Sequence, residues 1–320
     1  MRVAVVGAGA IGGFIAAALA RAGAAVAVVA RGENLAAIRR HGLRVDSDLG
    51  VFSVTVPASD DLRELGAFDA LLVTFKAHQW PAFLPQLRPF AATEATIVTL
   101  QNGVPFWYVR DAPLRSVDPG GTIGGLFPDE RVVGGVVHVS GEMPEPGVVR
   151  QSGGLRYVLG RIAREDDARA ASVVSLLRSA GLAAELDPDI RATVWLKVVN
   201  NAGLNSVSVL RRARMKPMLA DPEARTHVRR LMLEALHVGQ AMRVVKDVDV
   251  DARIEYAARL EDVKTSMLQD YERGRRLELE PIVGAIIELA ERYGIAVPNL
   301  RDAYAALRLR SEQAPAQSAG

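Results

Sequence analysis

Within its first twelve residues the chain carries a spacing that few folds accommodate. An apolar run from Arg2 to Val6 passes into Gly7-Ala8-Gly9-Ala10-Ile11-Gly12, and a small-residue helical stretch, Ile11 to Ala22, follows. Three glycines that close a strand and open a helix form the phosphate turn of a βαβ dinucleotide fold. Gly7 permits the tight turn, Gly9 removes a side chain where a pyrophosphate approaches the backbone, and Gly12 lets helix and strand pack closely. The diphosphate then meets unpaired amides at the positive end of the helix. On the pattern alone, a glycine-rich turn without a ligand is the competing reading.

The uncharged stretch from Val3 to Ala20 behind the single Arg2 also has the look of an export signal or a membrane span. Gly7, Gly9, Gly12 and Gly13 interrupt it and argue against both, so no membrane partner is expected. Lys and Arg together number 39 and Asp and Glu 37, a net charge of +2, which gives no reason to expect nucleic acid as a partner. The absence of cysteine excludes disulfides, thiolate metal sites and a cysteine nucleophile; it suits a reducing compartment, and a cytoplasmic location is expected. His41, His78, His138, His227 and His237 show no His-x-x-x-His spacing, so no metal is expected.

The near-continuous apolar runs Arg2 to Val6, Ala25 to Ala30, Ala70 to Phe75 and Thr96 to Leu100 read as strands buried on both faces, as in a parallel sheet. Alternating with helical stretches, they predict an α/β fold with an N-terminal Rossmann-like doubly wound sheet. Val132 to Val139, Gly147 to Val149 and Leu155 to Leu159 read as added antiparallel strands. Beyond Leu186-Asp187-Pro188-Asp189 the strand-like runs stop. Arg191 to Val209, Pro222 to Val244, Asp251 to Leu260, Pro281 to Tyr293 and Asn299 to Leu309 carry helical spacing, with starts at Asp221-Pro222 and Pro298-Asn299. The expected division is a dinucleotide-binding domain over 1–187, an all-helical C-terminal domain over 188–310 and a flexible tail over 311–320.

The end of the second strand decides which dinucleotide is bound. An acidic residue there accepts hydrogen bonds from the ribose of NAD, but this chain has Ala30-Arg31. A guanidinium offers a bidentate fit to a 2′-phosphate, so NADP(H) is expected, with Lys76 as a second cation. Arg31 as mere surface charge is the bland alternative, and Glu33 reads as a solvated residue of the next helix. Asn102, in Gln101-Asn102-Gly103, lies where strand ends collect ligands, although Asn-Gly also marks an ordinary turn.

Lys197, Asn201 and Asn205 recur at four-residue intervals in an apolar helix, share one face, and span roughly 12 Å, about the length of a small hydroxy acid. An ammonium flanked by Val, Leu and Trp is costly to bury without a counter-charge or a task; otherwise it snorkels to solvent. Lys197 can donate a proton, Ser266 can bind a carboxylate, and Glu278 can supply the counter-charge.

The glycine fingerprint, Lys76, Leu100-Gln101-Asn102-Gly103, Trp195-x-Lys197 with Asn201 and Asn205, and Ser266-Met267-x-Gln269-Asp270 with Glu278 occur here in one order, with Glu145-Pro146-Gly147 between them. In this order the chain resembles the ketopantoate reductase family over residues 1 to about 310. The resemblance implies an oxidoreductase that reduces 2-dehydropantoate to pantoate with NADPH on the route to pantothenate, in a site between a Rossmann domain and a helical domain. It implies Lys197 as general acid and alkoxide stabiliser; Asn201, Asn205 and Ser266 as substrate ligands; and Asn102 as a bridge between substrate and cofactor. Glu278 then orients the cofactor end or the lysine, and Gly7, Ala8, Gly9, Ala10, Ile11, Gly12, Arg31 and Lys76 hold NADP(H). A homodimer is compatible with it. About ten residues past Asn205 the family often has a further substrate-binding asparagine, whereas this chain reads Arg211-Arg212-Ala213-Arg214-Met215-Lys216. That departure keeps open another 2-keto acid as substrate. A cofactor-binding sensor without chemistry is the reading from a different class. The basic run reads more readily as a solvated helix end than as the mouth of a cleft.

Overall fold

The computed structural model describes residues 1–163, 167–260 and 262–313. They fall into two compact units, one built from residues 1–101 and 122–190, the other from residues 102–121 and the chain from Arg191 onward.

The first unit is a ten-stranded sheet with helices. In chain order its elements are β1 (Arg2–Val6), α1 (Ala10–Arg21), β2 (Ala25–Val29), α2 (Gly32–His41), β3 (Leu43–Ser47), β4 (Gly50–Val54) and β5 (Ala58–Ser59). Then come β6 (Ala70–Val73), α3 (Trp80–Leu87), β7 (Thr96–Thr99), β8 (Val132–Glu145), β9 (Val148–Arg161), α4 (Ala168–Ser179) and β10 (Ala183–Leu186). The spatial order β5-β2-β1-β6-β7-β8 is all parallel, which is the arrangement of a doubly wound dinucleotide-binding sheet. Its Val/Ala/Leu strands are buried on both faces, as continuous apolar runs require. Helix α1 contacts β1, β2, β3, β8 and β9 and is buried from Gly12 to Leu19. That enclosure explains its small residues, since larger side chains would hold the surrounding strands away.

The added strands differ from expectation in one respect. β8 extends the parallel set beside β7, and the antiparallel pairings are β8 with β9 and β3 with β4. β9 is a single strand in which the expected runs at 147–149 and 155–159 join. Its first half pairs parallel with β3 and its second half parallel with β10.

The second unit holds α5 (Ile190–Arg211), α6 (Met215–Ala220), α7 (Pro222–Ala241), α8 (Val250–Arg259), α9 (Ser266–Glu272), α10 (Ala285–Tyr293) and α11 (Pro298–Gln313). Asp221 caps α7 by accepting from the Glu223 amide at 3.0 Å, with Pro222 at the first helical position. The buried Glu234 of α7 receives the Asn299 and Leu300 amides at 3.0 and 2.8 Å, placing a carboxylate at the positive end of α11. Where one helix was expected over 281–293, a π-turn at Glu280–Gly284 precedes α10. Helix α11 continues through Ser311 and Arg310 to Gln313, beyond the expected helix end; the rest of the expected tail, 314–320, lies outside the described residues.

Residues 102–121 belong to this helical unit rather than to the sheet-bearing one. Tyr108 stacks on Trp195 with ring centroids 5.7 Å apart and donates to the Arg191 carbonyl at 2.8 Å. Glu288 of α10 accepts from the Arg115 and Ser116 amides at 3.0 and 3.1 Å. Among the described residues no helix is long and apolar enough to cross a membrane.

Candidate active site

The phosphate turn has the stereochemistry its spacing predicts. Gly7 has φ +106°, and a side chain there would meet the Phe75 backbone nitrogen at 2.7 Å. A Cβ on Gly12 would lie 2.1 Å from the Gly7 carbonyl oxygen and 2.4 Å from Thr74 Oγ1, whereas one on Gly9 would meet nothing within 4 Å. Gly9 is therefore the open position of the turn. The Gly7 and Ala8 amides both donate to the Val29 carbonyl at 3.1 Å, and Gly13 is the first to bond back, to Gly9 at 2.7 Å. Among the described residues the first-turn amides of Ala10, Ile11 and Gly12 have no backbone acceptor, which leaves them able to meet an anion.

Two residues the sequence did not single out, Thr74 and Asn34, shape this turn. Thr74 donates from Oγ1 to the Gly7 carbonyl at 2.7 Å. Asn34 of α2 donates to the Ala8 carbonyl at 2.8 Å and accepts from the Gly147 amide at 2.8 Å, so the Glu145-Pro146-Gly147 turn holds the fingerprint through one amide side chain. An Asn at the third position of a helix gives no signal without the fold. Arg31, exposed at the end of β2, lies with its guanidinium carbon 4.0 Å from the Phe83 ring centroid and donates to the Ala82 carbonyl at 3.1 Å. Lys76 follows β6, and its amide donates to Gln79 Oε1 at 2.9 Å. Glu33 is an exposed residue in the first turn of α2, where its charge complements the helix.

The second unit gathers the chemistry-bearing residues of α5. Trp195, fully buried, donates its indole N–H to the Ala235 carbonyl at 3.1 Å and fills the space beside Gly239, which anchors α5 on α7. That anchorage fixes the face carrying Lys197, Asn201 and Asn205. Lys197 is partly buried along its length, and burial pushes its ammonium down from the ordinary 10.5 to about 8, with the Glu278 carboxylate opposing that fall. Glu278 is itself buried, and Asn102 donates to its Oε2 at 3.5 Å, a long contact. Lys197, Glu278 and Asn102 are therefore brought together within this unit.

Asn102 is held by its neighbours. The Val104 amide donates to the Pro281 carbonyl at 2.7 Å, and a Cβ on Gly103, at φ +84°, would lie 2.5 Å from that same oxygen. The π-turn thus offers a carbonyl to the Asn102 loop, a use of irregular helix common beside functional residues. Asn205 is buried, and the Asn201 Nδ2 group is buried with no acceptor among the described residues. Leaving such a donor unsatisfied costs about 1–3 kcal/mol, which a bound acceptor removes. Asn200, immediately before Asn201 in sequence, instead accepts from Arg253 Nε of α8 at 3.1 Å.

Ser266 is exposed at the first position of α9, and the preceding Thr265 caps that helix by accepting from Leu268 at 3.2 Å. A buried 2.6 Å hydrogen bond between Ser208 and Thr265 ties this helix start to α5. Met215 is buried at the start of α6. The basic run before it is engaged at the surface: Arg211 with Glu223 at 3.0 Å, Arg212 with Tyr271 Oη at 3.0 Å, and Arg214 with Asp262 at 2.7 Å. This is the solvated helix end expected of it.

Comparison with known proteins agrees with this architecture. The family described as ketopantoate reductase PanE/ApbA matches residues 3–164, and its C-terminal counterpart matches residues 189–311. A 2-dehydropantoate 2-reductase of Mesorhizobium japonicum is 38% identical over 96% of this chain and 96% of its own. A protein of known structure from Ralstonia solanacearum is 32% identical, covers 99% of each chain and superposes with a TM-score of 0.92. The 2-dehydropantoate 2-reductase of Geobacter metallireducens, 29% identical, covers 97% of this chain and 99% of its own with a TM-score of 0.87. With both halves matched, in the order and over the elements described above, the chain belongs to the ketopantoate reductase PanE/ApbA family.

Proposed function

We propose that this chain reduces 2-dehydropantoate to pantoate with NADPH, toward pantothenate, with Lys197 as the general acid. The observation that carries the reading is the Lys197 ammonium, held near 8 by burial against the Glu278 carboxylate, on the same helix face as Asn201 and Asn205. Bound NADPH supplies a hydride to the keto carbon. Lys197 delivers the proton to the carbonyl oxygen, stabilises the negative charge that develops there, and is reprotonated from water. A donor near 8 is mostly protonated at neutral pH yet gives up its proton far more readily than an ordinary lysine.

Glu278 keeps that ammonium charged and accepts from Asn102, whose amide serves both substrate and cofactor. Asn201, with its unsatisfied Nδ2, Asn205 and Ser266 hold the polar groups of the substrate. The first-turn amides Ala10, Ile11 and Gly12, with the turn residues Gly7, Ala8 and Gly9, take the diphosphate, and Arg31 and Lys76 take the 2′-phosphate.

Another 2-keto acid is the second reading, favoured by one observation: at Met215, where an asparagine was expected, a buried apolar side chain begins α6. Both readings are tested by following NADPH oxidation with 2-dehydropantoate and with a panel of 2-keto acids. Higher kcat/KM for 2-dehydropantoate supports the first reading, and higher kcat/KM elsewhere replaces it with the second. NADPH binding without turnover on any of them overturns both in favour of a sensor.

A further inference from the structure

Arg31 does not stand alone at the end of β2. Its guanidinium lies over Phe83, and Phe83 is buried and stacked on Phe75 with ring centroids 4.3 Å apart and planes 8° from parallel. Phe75 meets Trp80 edge to face at 5.0 Å. The Trp80 indole donates to Gln101 Oε1 at 3.0 Å, and Gln101 Nε2 returns a bond to the Phe75 carbonyl at 2.7 Å. One continuous column therefore runs along the carboxyl ends of the strands, from Gln101 after β7, through Trp80, Phe75 and Phe83, to Arg31 after β2. Phe75 is also the residue whose backbone crowds Gly7. The column thus underlies the diphosphate turn and the guanidinium together.

A free arginine side chain samples many rotamers, and ordering it on a ligand costs much of the energy a phosphate contact returns. Here the guanidinium already lies over a buried, stacked ring, and Nη2 donates to the Ala82 carbonyl. Among the described residues no other acceptor is recorded for Arg31, so its remaining N–H edge is available for a phosphate monoester.

We propose that Phe83 is a specificity-determining positioning residue: by holding the Arg31 guanidinium over its ring it sets the preference for a 2′-phosphorylated dinucleotide over its unphosphorylated counterpart. This rests on the NADPH reading above. It predicts that Phe83 acts on the ratio of the two affinities and leaves the common part of the dinucleotide unaffected.

The test is equilibrium titration of the full-length protein with NADPH and NADH, and with 2′-AMP against 5′-AMP as probes of the phosphate subsite alone. Phe83→Leu keeps apolar bulk and removes the flat ring. It is expected to weaken NADPH and 2′-AMP about 5- to 10-fold while NADH changes less than about twofold, the size of a lost cation–π contact plus part of the ordering entropy. Phe83→Tyr keeps the ring and retains the wild-type ratio. Arg31→Ala abolishes the preference, and adding Phe83→Leu to it changes the ratio no further. Equal weakening of NADPH and NADH by Phe83→Leu, or no change in either, overturns the proposal. Should Phe83→Leu not fold, Phe83→Met is read by the same criteria. If Arg31→Ala leaves the NADPH:NADH ratio untouched, the cofactor reading itself has failed; if it removes the ratio while Phe83→Leu does not, only the role of Phe83 has failed.

Discussion

Replacing Lys197 by Met separates the chemical role of the ammonium from its energetic cost. In the folded protein the ammonium titrates near 8 rather than at the ordinary 10.5. At neutral pH the fold therefore carries a charge it would rather shed, a penalty of about 3 kcal/mol at ~1.4 kcal/mol per pH unit. Between about 8 and 10.5 the unfolded chain still holds this proton while the folded chain has lost it, so this group makes stability rise with pH across that window. Urea unfolding of wild type and Lys197→Met at a series of pH values should show the wild type gaining up to about 3 kcal/mol relative to the variant as pH rises through the window. In the same pair, reduction should fall by about 10²- to 10⁴-fold in kcat on substitution, the usual contribution of a general acid. Wild-type kcat should decline above about pH 8, where the donor is lost. Glu278→Gln removes the influence that holds the ammonium up and should move that decline to lower pH. A kcat level to pH 10 together with a pH-independent stability difference would refute the assignment of Lys197 as a buried acid.

Other expectations follow from contacts at the two sites. Gly12→Ala forces a Cβ to 2.1 Å from the Gly7 carbonyl, and should destabilise the fold by about 1–3 kcal/mol and weaken NADPH binding, read by denaturation and by titration. Gly103→Ala drives a Cβ against the Pro281 carbonyl and displaces the Asn102 loop; kcat should fall, and an unchanged kcat would dissociate that loop from the chemistry. Ser208→Ala breaks the buried 2.6 Å bond to Thr265, at about 1 kcal/mol of stability, and should raise substrate KM through the start of α9 without altering the dinucleotide titration.

The parallel strands were legible because Val3, Val28, Leu72 and Val98 lie in runs buried on both faces, and such runs need no alternation to be recognised. The β3–β4 hairpin escaped notice for the opposite reason. Its exposed Arg44 and Asp46 and the 73% exposed Val51 leave little apolar pattern, and its place is fixed by pairing with β9, a hundred residues away in sequence. The glycine turn and the α5 face were readable because both are set by local geometry, three or four residues at a time. What the Asn102 loop meets was not, since the contact of Asn102 with Glu278 and that of the Val104 amide with the Pro281 carbonyl join segments more than 170 residues apart. The aromatic column beneath Arg31 was hidden in the same way: nothing in the spacing of Phe75, Trp80 and Phe83 marks them as partners until the fold brings their rings together.

The allocation of residues 102–121 has a consequence for biosynthesis. During synthesis from the amino terminus this stretch leaves the ribosome long before Trp195, Arg191 and Glu288, the groups that later cover and bind it. Trp107 and Tyr108, both buried at the end of folding, must wait exposed while some eighty further residues are polymerised. The nascent chain thus passes through an interval in which an adhesive aromatic segment is unprotected, and it is there that chaperone capture or self-association would compete with productive assembly.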